Sequence, residues 1–430
     1  MARMPASHMR LGVCLFFYRI LVTCLALAVL IRALARGQLT EVRQRLGLGT
    51  GSRTAHLWLH GASNGELASA RPIINALLAA QPDLHLLITS NSASGQSLAA
   101  NIEPERITSV LAPLDLAWAT RRFVRRWSVT GHVTLESEFW PNRLCALSAA
   151  GKPCLALGAR LSERSARGWG RLPGVTRNAL GTLSFLSPQD QASGQRFIDL
   201  GLKREALGEV FDLKALYTPK HLVPDEKPLP STYKRCNSWL AASTHEGEEQ
   251  LVLEAHAIAR RTEPDLKLIL APRHPARADA LSRLIANHGF SSTRRSQPTA
   301  PPTHPATQPQ VFLADTLGEM DLWYAQAGRV FIGGSLVEKG GHTPYEPATH
   351  RCALIHGPHV DNFVAAYKKL ACAQAALAVE SSRDLAEALA RLSPQDAQSA
   401  AGTAARTALH PVQTADWLVT TLLEHLKTTQ

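Results

Sequence analysis

GGSLVEKGGHTPYEPA, from Gly333 to Ala348, decides how this chain is read. Two Gly-Gly pairs bracket a short apolar segment, directly after the apolar run Val330 to Ile332. That run reads as a buried strand ending at Gly333. Glycine permits positive φ and lets backbone approach a ligand closely. A strand that leads into glycine-rich backbone and then a helix start can hold an anion on exposed N–H groups. Glu346 is expected in or near the first turn of the next helix, where its carboxylate can accept hydrogen bonds from the two hydroxyls of a ribose. The alternative is a tight turn before a helix.

Outward from this run, strands alternate with helices. His56 to His60, Leu84 to Thr89, Val129 to Leu135 and Pro153 to Gly158 read as strands, with helical spacing over Gly65 to Leu78 and Trp140 to Ala150. The second half repeats the pattern: strands at Trp239 to Ala242, Leu266 to Ala271, Val330 to Ile332 and Ala353 to His356, and a helix at Glu246 to Arg261. Such alternation predicts α/β architecture with parallel sheets covered by helices on both faces. A length of 430 residues is too great for one core. The expected division is a membrane anchor at 1–35, an α/β domain at 36–216, a Pro- and Lys-rich linker at 217–235 and a second α/β domain at 236–430. Ser291 to Gln310 carries five prolines and reads as a flexible surface loop.

Lys and Arg exceed Asp and Glu by 46 to 35, a formal charge of +11, yet no long basic block stands out. The densest cluster is Arg121, Arg122, Arg125 and Arg126, interleaved with Phe123 and Trp127. Nucleic acid is one reading of this balance; an anionic bilayer or a phosphorylated lipid is the other. The N-terminus favours the membrane, and no nucleic-acid partner is expected. Leu11 to Leu30 is a nearly unbroken apolar stretch of 20 residues, long enough to span a bilayer. Arg19 lies near its middle and could snorkel if the helix enters only one leaflet. Arg32, Arg36, Arg43 and Arg45 follow, as expected of a cytoplasmic flank. A cleaved signal peptide with Ala33-Leu34-Ala35 at the cleavage point is the alternative, and Arg32 counts against it. Seven scattered cysteines without C-x-x-C suit a reducing compartment and no zinc or disulfide framework.

Further motifs stand in order along the chain: LWLHGASNGELASARPII from Leu57, LESEFWPN from Leu135, ARLSERSARG from Ala159, LAASTHEGEEQ from Leu240, LILAPRHPAR from Leu268 and FLADTLGEMDLWYAQAGRVFIGGS from Phe312. This ordered set resembles the 3-deoxy-D-manno-octulosonic acid (Kdo) transferases, from roughly Tyr18 to Ala400. The resemblance implies a GT-B glycosyltransferase: two Rossmann-like α/β domains facing a cleft, behind an N-terminal membrane-anchor helix. It implies an N-terminal domain for the acceptor and a C-terminal domain for the nucleotide-sugar donor. It further implies transfer of Kdo from CMP-Kdo to the lipid A precursor at the cytoplasmic face of the inner membrane, where anionic lipids are expected partners.

Glycosyl transfer needs a base for the acceptor hydroxyl and stabilisation of the departing phosphate. Glu66, in HGASNGE, sits at a strand-to-helix turn. From the residues alone it is equally a base or the N3 carboxylate of a capping box with Ser63; the resemblance implies the base. Glu136 and Glu138 alternate at a strand end, which predicts both on one side. The resemblance assigns Glu136 to transition-state stabilisation; a structural ion pair is the alternative. No Asp-x-Asp occurs anywhere, so a metal-independent reaction with no cofactor is expected. In STHEGEE, Ser243 or Thr244 is expected to cap a helix whose first turns hold Glu246, Glu248 and Glu249, leaving an exposed N-terminus able to face a phosphate. Arg273, between prolines at a strand end, suits a phosphate. The resemblance implies that Pro272 and Arg273, Leu317, Gly318 and Glu319, and Thr343, Pro344, Tyr345 and Glu346 contact the cytidine nucleotide.

Three positions depart from the family pattern. Thr343 stands where Asn is usual. Gly158 replaces the Asn of N-A-R-L-S. The run Gly208-Glu209-Val210-Phe211-Asp212 lacks the inter-domain lysine, with Lys203 and Lys214 nearby but out of register. Either another cation substitutes or the activity is altered.

Overall fold

A computed structural model describes residues 6–136, 138–219, 232–297, 309–409 and 414–427, with side chains from residue 15. The chain forms two compact units, Met1–Leu216 with Pro411–Gln430, and Tyr217–His410.

The first unit opens with α1 (Ala6–Ala35) and α2 (Leu39–Arg45). Its strands are β1 (His56–His60), β2 (His85–Ser90), β3 (Ile107–Leu111), β4 (Val129–Leu135), β5 (Cys154–Ala159) and β6 (Leu183–Pro188). Between them run α3 (Asn64–Ala80), α4 (Ala93–Ala100), α5 (Ala117–Arg126), α6 (Pro141–Ala149), α7 (Glu163–Gly170) and α8 (Pro173–Leu180), with α9 (Gln191–Leu200) after β6. The order is β3-β2-β1-β4-β5-β6, and every pair is parallel. Buried on both faces, β1 reads as an apolar run rather than an alternation. Leu57 and Leu59 enter one core with Ile73 and Leu135, while Trp58 enters the other with Phe123 and Leu186. That split is the period of two along a strand.

The second unit contains β7 (Ser238–Thr244), α10 (Glu248–Ala259), β8 (Lys267–Pro272), α11 (Ala278–Asn287), β9 (Ser292–Arg294), β10 (Val311–Leu313), α12 (Met320–Gln326) and β11 (Arg329–Ile332). It continues through α13 (Tyr345–Thr349), β12 (Ala353–His356), α14 (Val364–Cys372), β13 (Ala376–Ala378), α15 (Ser382–Arg391) and α16 (Gln395–Leu409). This sheet is also wholly parallel, in the order β13-β12-β11-β7-β8-β10-β9.

Two expectations need correction. The C-terminal segment does not stay with the second domain: α17 (Ala415–Lys427) returns to the first unit, where Leu418 and Leu422 are fully buried in the core shared with α3. Its apolar stripe finds its cover there. Ser291 to Gln310 is not all loop, since β9 forms at its start; 298–308 lie outside the described residues, as do 220–231 of the expected linker.

Within α1, Leu15–Ala35 is long and apolar enough to cross a membrane. One stripe, Tyr18, Val22, Ala26 and Ala33, is buried against the first unit. Tyr18 and Val22 pack with Val175 of α8, and the Tyr18 hydroxyl donates to Asp115 Oδ2 at 2.7 Å. Phe16, Phe17, Leu21 and Leu25 on the remaining surface are more than half exposed.

Candidate functional site

In a doubly wound sheet a ligand fits beyond the carboxyl ends of the strands where the strand order reverses. In the first sheet this point lies between β1 and β4. Glu66 follows β1, and Glu136 and Glu138 follow β4, so carboxylates from two separate motifs meet at one switch point. Glu66 is the third residue of α3. Its N–H donates to Ser63 Oγ (3.2 Å), the Ser63 hydroxyl donates to Glu66 Oε1 (3.1 Å), and the Ala62 N–H donates to Oε2 (2.8 Å). The capping box therefore exists, and it also fixes the carboxylate. Burial pushes the Glu66 carboxyl up to about 7; the Ala62 N–H opposes this and the charge of Glu136 adds to it. A group poised near neutrality suits a general base.

Glu136 and Glu138 do not share a strand face. β4 stops at Leu135, and Glu136 turns away with φ of +50°. Lys214, in the turn Leu213–Leu216, places Nζ 3.3 Å from Glu136 Oε1. The residue that looked out of register thus reaches the site. Glu138 accepts from Trp140 Nε1 (2.6 Å), His60 Nε2 (3.4 Å) and Asn91 Nδ2 (3.4 Å). Burial raises its proton affinity, but the His60 and Trp140 bonds and the Arg143 charge outweigh it and hold Glu138 at about 2. His60 is wholly buried, and that burial, with Arg143 nearby, holds it down to about 4. A neutral His60 donating from Nε2 leaves Nδ1 to accept from Thr89 Oγ1 at 2.8 Å. His60, Lys214 and Arg143 were not assigned from sequence, because their positions in the chain say nothing of Glu138 or Glu136.

Gly158, with φ of +60°, explains how Lys214 arrives. A Cβ there would lie 2.8 Å from Leu213 Cγ. The turn that carries Lys214 packs into the space that a side chain at position 158 would fill.

In the second sheet the order reverses between β7 and β11. Here the first part of the glycine-rich loop, Gly334 to Leu336, turns its N–H groups inward. Glu248 is wholly buried and accepts from Gly334 (2.7 Å), Ser335 (3.0 Å), Leu336 (2.9 Å) and its own helix start at His245 (2.9 Å). The anion this backbone holds is a side chain of the protein itself. The expected cap at Ser243 or Thr244 is also displaced. β7 runs on to Thr244, whose hydroxyl donates to Glu249 at 3.1 Å, and Gly247 with φ of +97° is the N-cap of α10. Glu246 precedes the helix.

The loop presents side chains instead. His342 and His245 bring their Nε2 atoms to 2.9 Å with stacked rings, and His274 stands edge-on to His245 at 5.9 Å. Burial first, then the neighbouring His245 and Arg273, hold His342 down to about 4. Arg273 is exposed at the end of β8, beyond the buried Pro272. Thr343 Oγ1 accepts the Tyr345 N–H at 3.4 Å. Pro344 and Tyr345 are buried, and Glu346 lies in the first turn of α13, half-buried. Glu319 is committed to Arg295 Nε at 3.0 and 3.1 Å and to the Thr316 hydroxyl. Beside it Leu317 is 76% exposed and Gly318 has φ of +86°, so bare backbone and an apolar side chain face outward there.

Comparison with known proteins bears on this arrangement. The profile of 3-deoxy-D-manno-octulosonic-acid transferase (kdotransferase) matches residues 40–216. The 3-deoxy-D-manno-octulosonic acid transferase of Haemophilus influenzae is 32% identical over 333 residues, 77% of each chain. That of Bordetella pertussis is 31% identical over 347 residues, 76% of this chain and 77% of the relative. Among solved structures, UDP-GlcNAc 2-epimerase from Methanocaldococcus jannaschii has a TM-score of 0.57 at 12% identity, covering 86% of this chain and 99% of that one. A glycosyltransferase from Rickettsia africae has a TM-score of 0.56 at 13% identity, covering 88% and 99%. These likenesses show the GT-B fold of paired Rossmann-like domains. With relatives at 31% and 32% identity over about three quarters of both chains, this chain belongs to the 3-deoxy-D-manno-octulosonic acid transferase family of glycosyltransferases.

Proposed function

We propose that this chain moves Kdo from CMP-Kdo to the tetraacylated lipid A precursor, lipid IVA, in lipopolysaccharide biosynthesis at the cytoplasmic face of the inner membrane. The observation that carries the reading is the Glu66 carboxylate, fixed by Ser63 and the Ala62 N–H at the same switch point as the Lys214–Glu136 pair, and pushed up to about 7 by burial. Family membership supplies the sugar. In the reaction, Glu66 accepts the proton of the acceptor hydroxyl as that oxygen forms the new bond to the anomeric carbon. The bond from that carbon to the CMP phosphate breaks on the opposite face, so the configuration inverts. Glu136, oriented by Lys214, stabilises positive charge at the sugar. Arg273 holds the departing phosphate, and Glu346 and the Leu317–Gly318 backbone hold ribose and base. The chain's own cations supply the charge, so no metal or other cofactor is required.

Incubation with CMP-Kdo and lipid IVA, read by mass spectrometry of the lipid, tests this directly and counts the sugars added. A chelator should leave the rate unchanged. The departures at Thr343 and at the absent inter-domain lysine favour a second reading, a divergent relative using another sugar or acceptor or binding without transfer. CMP binding without any change of lipid mass would support it.

A further inference from the structure

Arg143, the third residue of α6, is a cation enclosed by the first unit. It is 2% exposed, and its Nε and Nη1 find no hydrogen-bond partner among the described residues. Nor does it form an ion pair among them. Asp115, the obvious counter-ion, is engaged elsewhere. Its carboxylate accepts from the Tyr18 hydroxyl (2.7 Å) and from the Asn142 and Arg143 N–H groups (3.0 and 2.7 Å), which fastens the start of α6. The guanidinium lies instead over the Trp58 ring, 5.1 Å from its centre. A buried arginine stays charged, and burying it without a bonded counter-ion is costly. The ionisable groups that face it are Asp115, Glu138, Tyr18 and Arg45, with His60 of β1 and His132 of β4.

Trp58 also begins a directed run of hydrogen bonds. Its Nε1–H can only donate, and it gives to Thr89 Oγ1 at 2.8 Å. The Thr89 hydroxyl is then left to donate to His60 Nδ1 at 2.8 Å, closer than the Thr89 carbonyl at 3.2 Å. That arrangement puts the single proton of His60 on Nε2, which lies 3.4 Å from Glu138 Oε2. A second proton on His60 would sit on Nδ1 and turn the Thr89 bond round. Arg143 stands at the head of this run, and its charge opposes that second proton. The same charge favours the ionised form of Glu138, which accepts from Trp140 and Asn91 as well. Glu138 in turn adds its charge to those that face Glu66.

We infer that Arg143 is a positioning residue for the transfer: it holds the Glu138–His60 contact in one charge arrangement, carboxylate accepting from neutral imidazole, and so keeps Glu138 fixed at the switch point with Glu66 and Glu136. The inference rests on the reaction proposed above and adds a residue that acts on it through Glu138.

The test uses the full-length chain in detergent with isotope-labelled histidine rings, the His60 signals being identified by their loss in His60→Gln. In the wild type at pH 6 the His60 ring should be neutral with its proton on Nε2. Arg143→Leu and Arg143→Gln, both uncharged, should raise the pH at which His60 titrates by about one unit or more. Arg143→Lys, which keeps the charge, should leave it near the wild-type value. With CMP-Kdo and lipid IVA, kcat should fall about ten- to a hundredfold in the uncharged variants, as a misplaced group costs, and recover in Arg143→Lys, while CMP affinity by calorimetry holds. Either uncharged variant that folds decides the matter. An unmoved His60 titration, an equal rise in Arg143→Lys, or a charged His60 in the wild type at pH 6 overturns the inference. A moved titration with kcat intact overturns it too, because the arrangement would then serve no transfer. The titration needs no substrate, so failure of the proposed transfer and failure of this inference are read separately.

Discussion

Burial pushes the Glu66 carboxyl up to about 7, and the proposed role as base makes that value set the pH dependence of transfer. A base must be ionised to take the proton. With the carboxyl at about 7, roughly one Glu66 in eleven is ionised at pH 6 and ten in eleven at pH 8. The rate with limiting acceptor should therefore rise about tenfold between these values and level off above. Transfer measured at limiting lipid IVA and saturating CMP-Kdo, in buffers of constant ionic strength, gives the profile. Glu66→Gln keeps an oxygen for the Ala62 N–H and the shape of the cap, so the fold should survive while turnover falls about 10²–10⁴-fold. The residual rate should no longer depend on pH between 6 and 8. Glu136→Gln removes a charge that pushes Glu66 up, so its limb should move to lower pH. His60 and His342 are held near 4 and cannot produce a limb near 7. A flat wild-type profile, or a limb that persists in Glu66→Gln, refutes the assignment and leaves Glu66 as a cap alone.

Lys214→Gln should lower kcat by about 10²-fold, as removal of a transition-state partner does, with CMP affinity by calorimetry unchanged. Arg273→Ala and Glu346→Ala in the full-length chain should each weaken CMP binding about tenfold or more; unchanged affinity in both would remove this nucleotide site. Glu248→Gln turns an amide against backbone donors and should cost about 1–3 kcal/mol, seen as a lower midpoint in thermal unfolding together with weaker CMP binding. Deleting residues 1–35 should release the protein from membranes at high salt and leave weak, salt-sensitive attachment through Arg121 to Arg126, about 1 kcal/mol per basic residue at most. Flotation at two salt concentrations separates these.

The fold was legible wherever a strand is buried on both faces. LWLH announces itself by three consecutive buried apolar residues, and VTGHVTL by its β-branched residues, although Thr130, His132 and Thr134 stand within it. β3 (ITSVL) and β6 (LSFLSP) carry serine and threonine and lie nearer the sheet edge, where one-sided exposure dilutes the apolar signal. α17 misled for a different reason. No local pattern states which of two sheets will cover its apolar stripe, and here the answer lies more than three hundred residues back in the chain at α3.

The candidate site shows the same boundary between local and long-range information. Ser63 and Glu66 are three residues apart, and their box could be read from spacing. Glu248 and Gly334 are 86 residues apart, so sequence showed a glycine-rich anion cradle but not that a carboxylate of this chain fills it. The missing lysine follows the same logic. Loss of a side chain at Gly158 and loss of the inter-domain lysine look like two independent defects in the linear sequence. In space they are one rearrangement, because Leu213 occupies the room beside Gly158 and carries Lys214 to Glu136. Gly158→Asn alone should therefore displace that turn, pull Lys214 from Glu136 and reduce kcat as Lys214→Gln does. Combining the two substitutions should lower kcat little further, since both break the same contact. Fully multiplicative losses would mean that the two departures arose separately and that Lys214 is not the substitute cation.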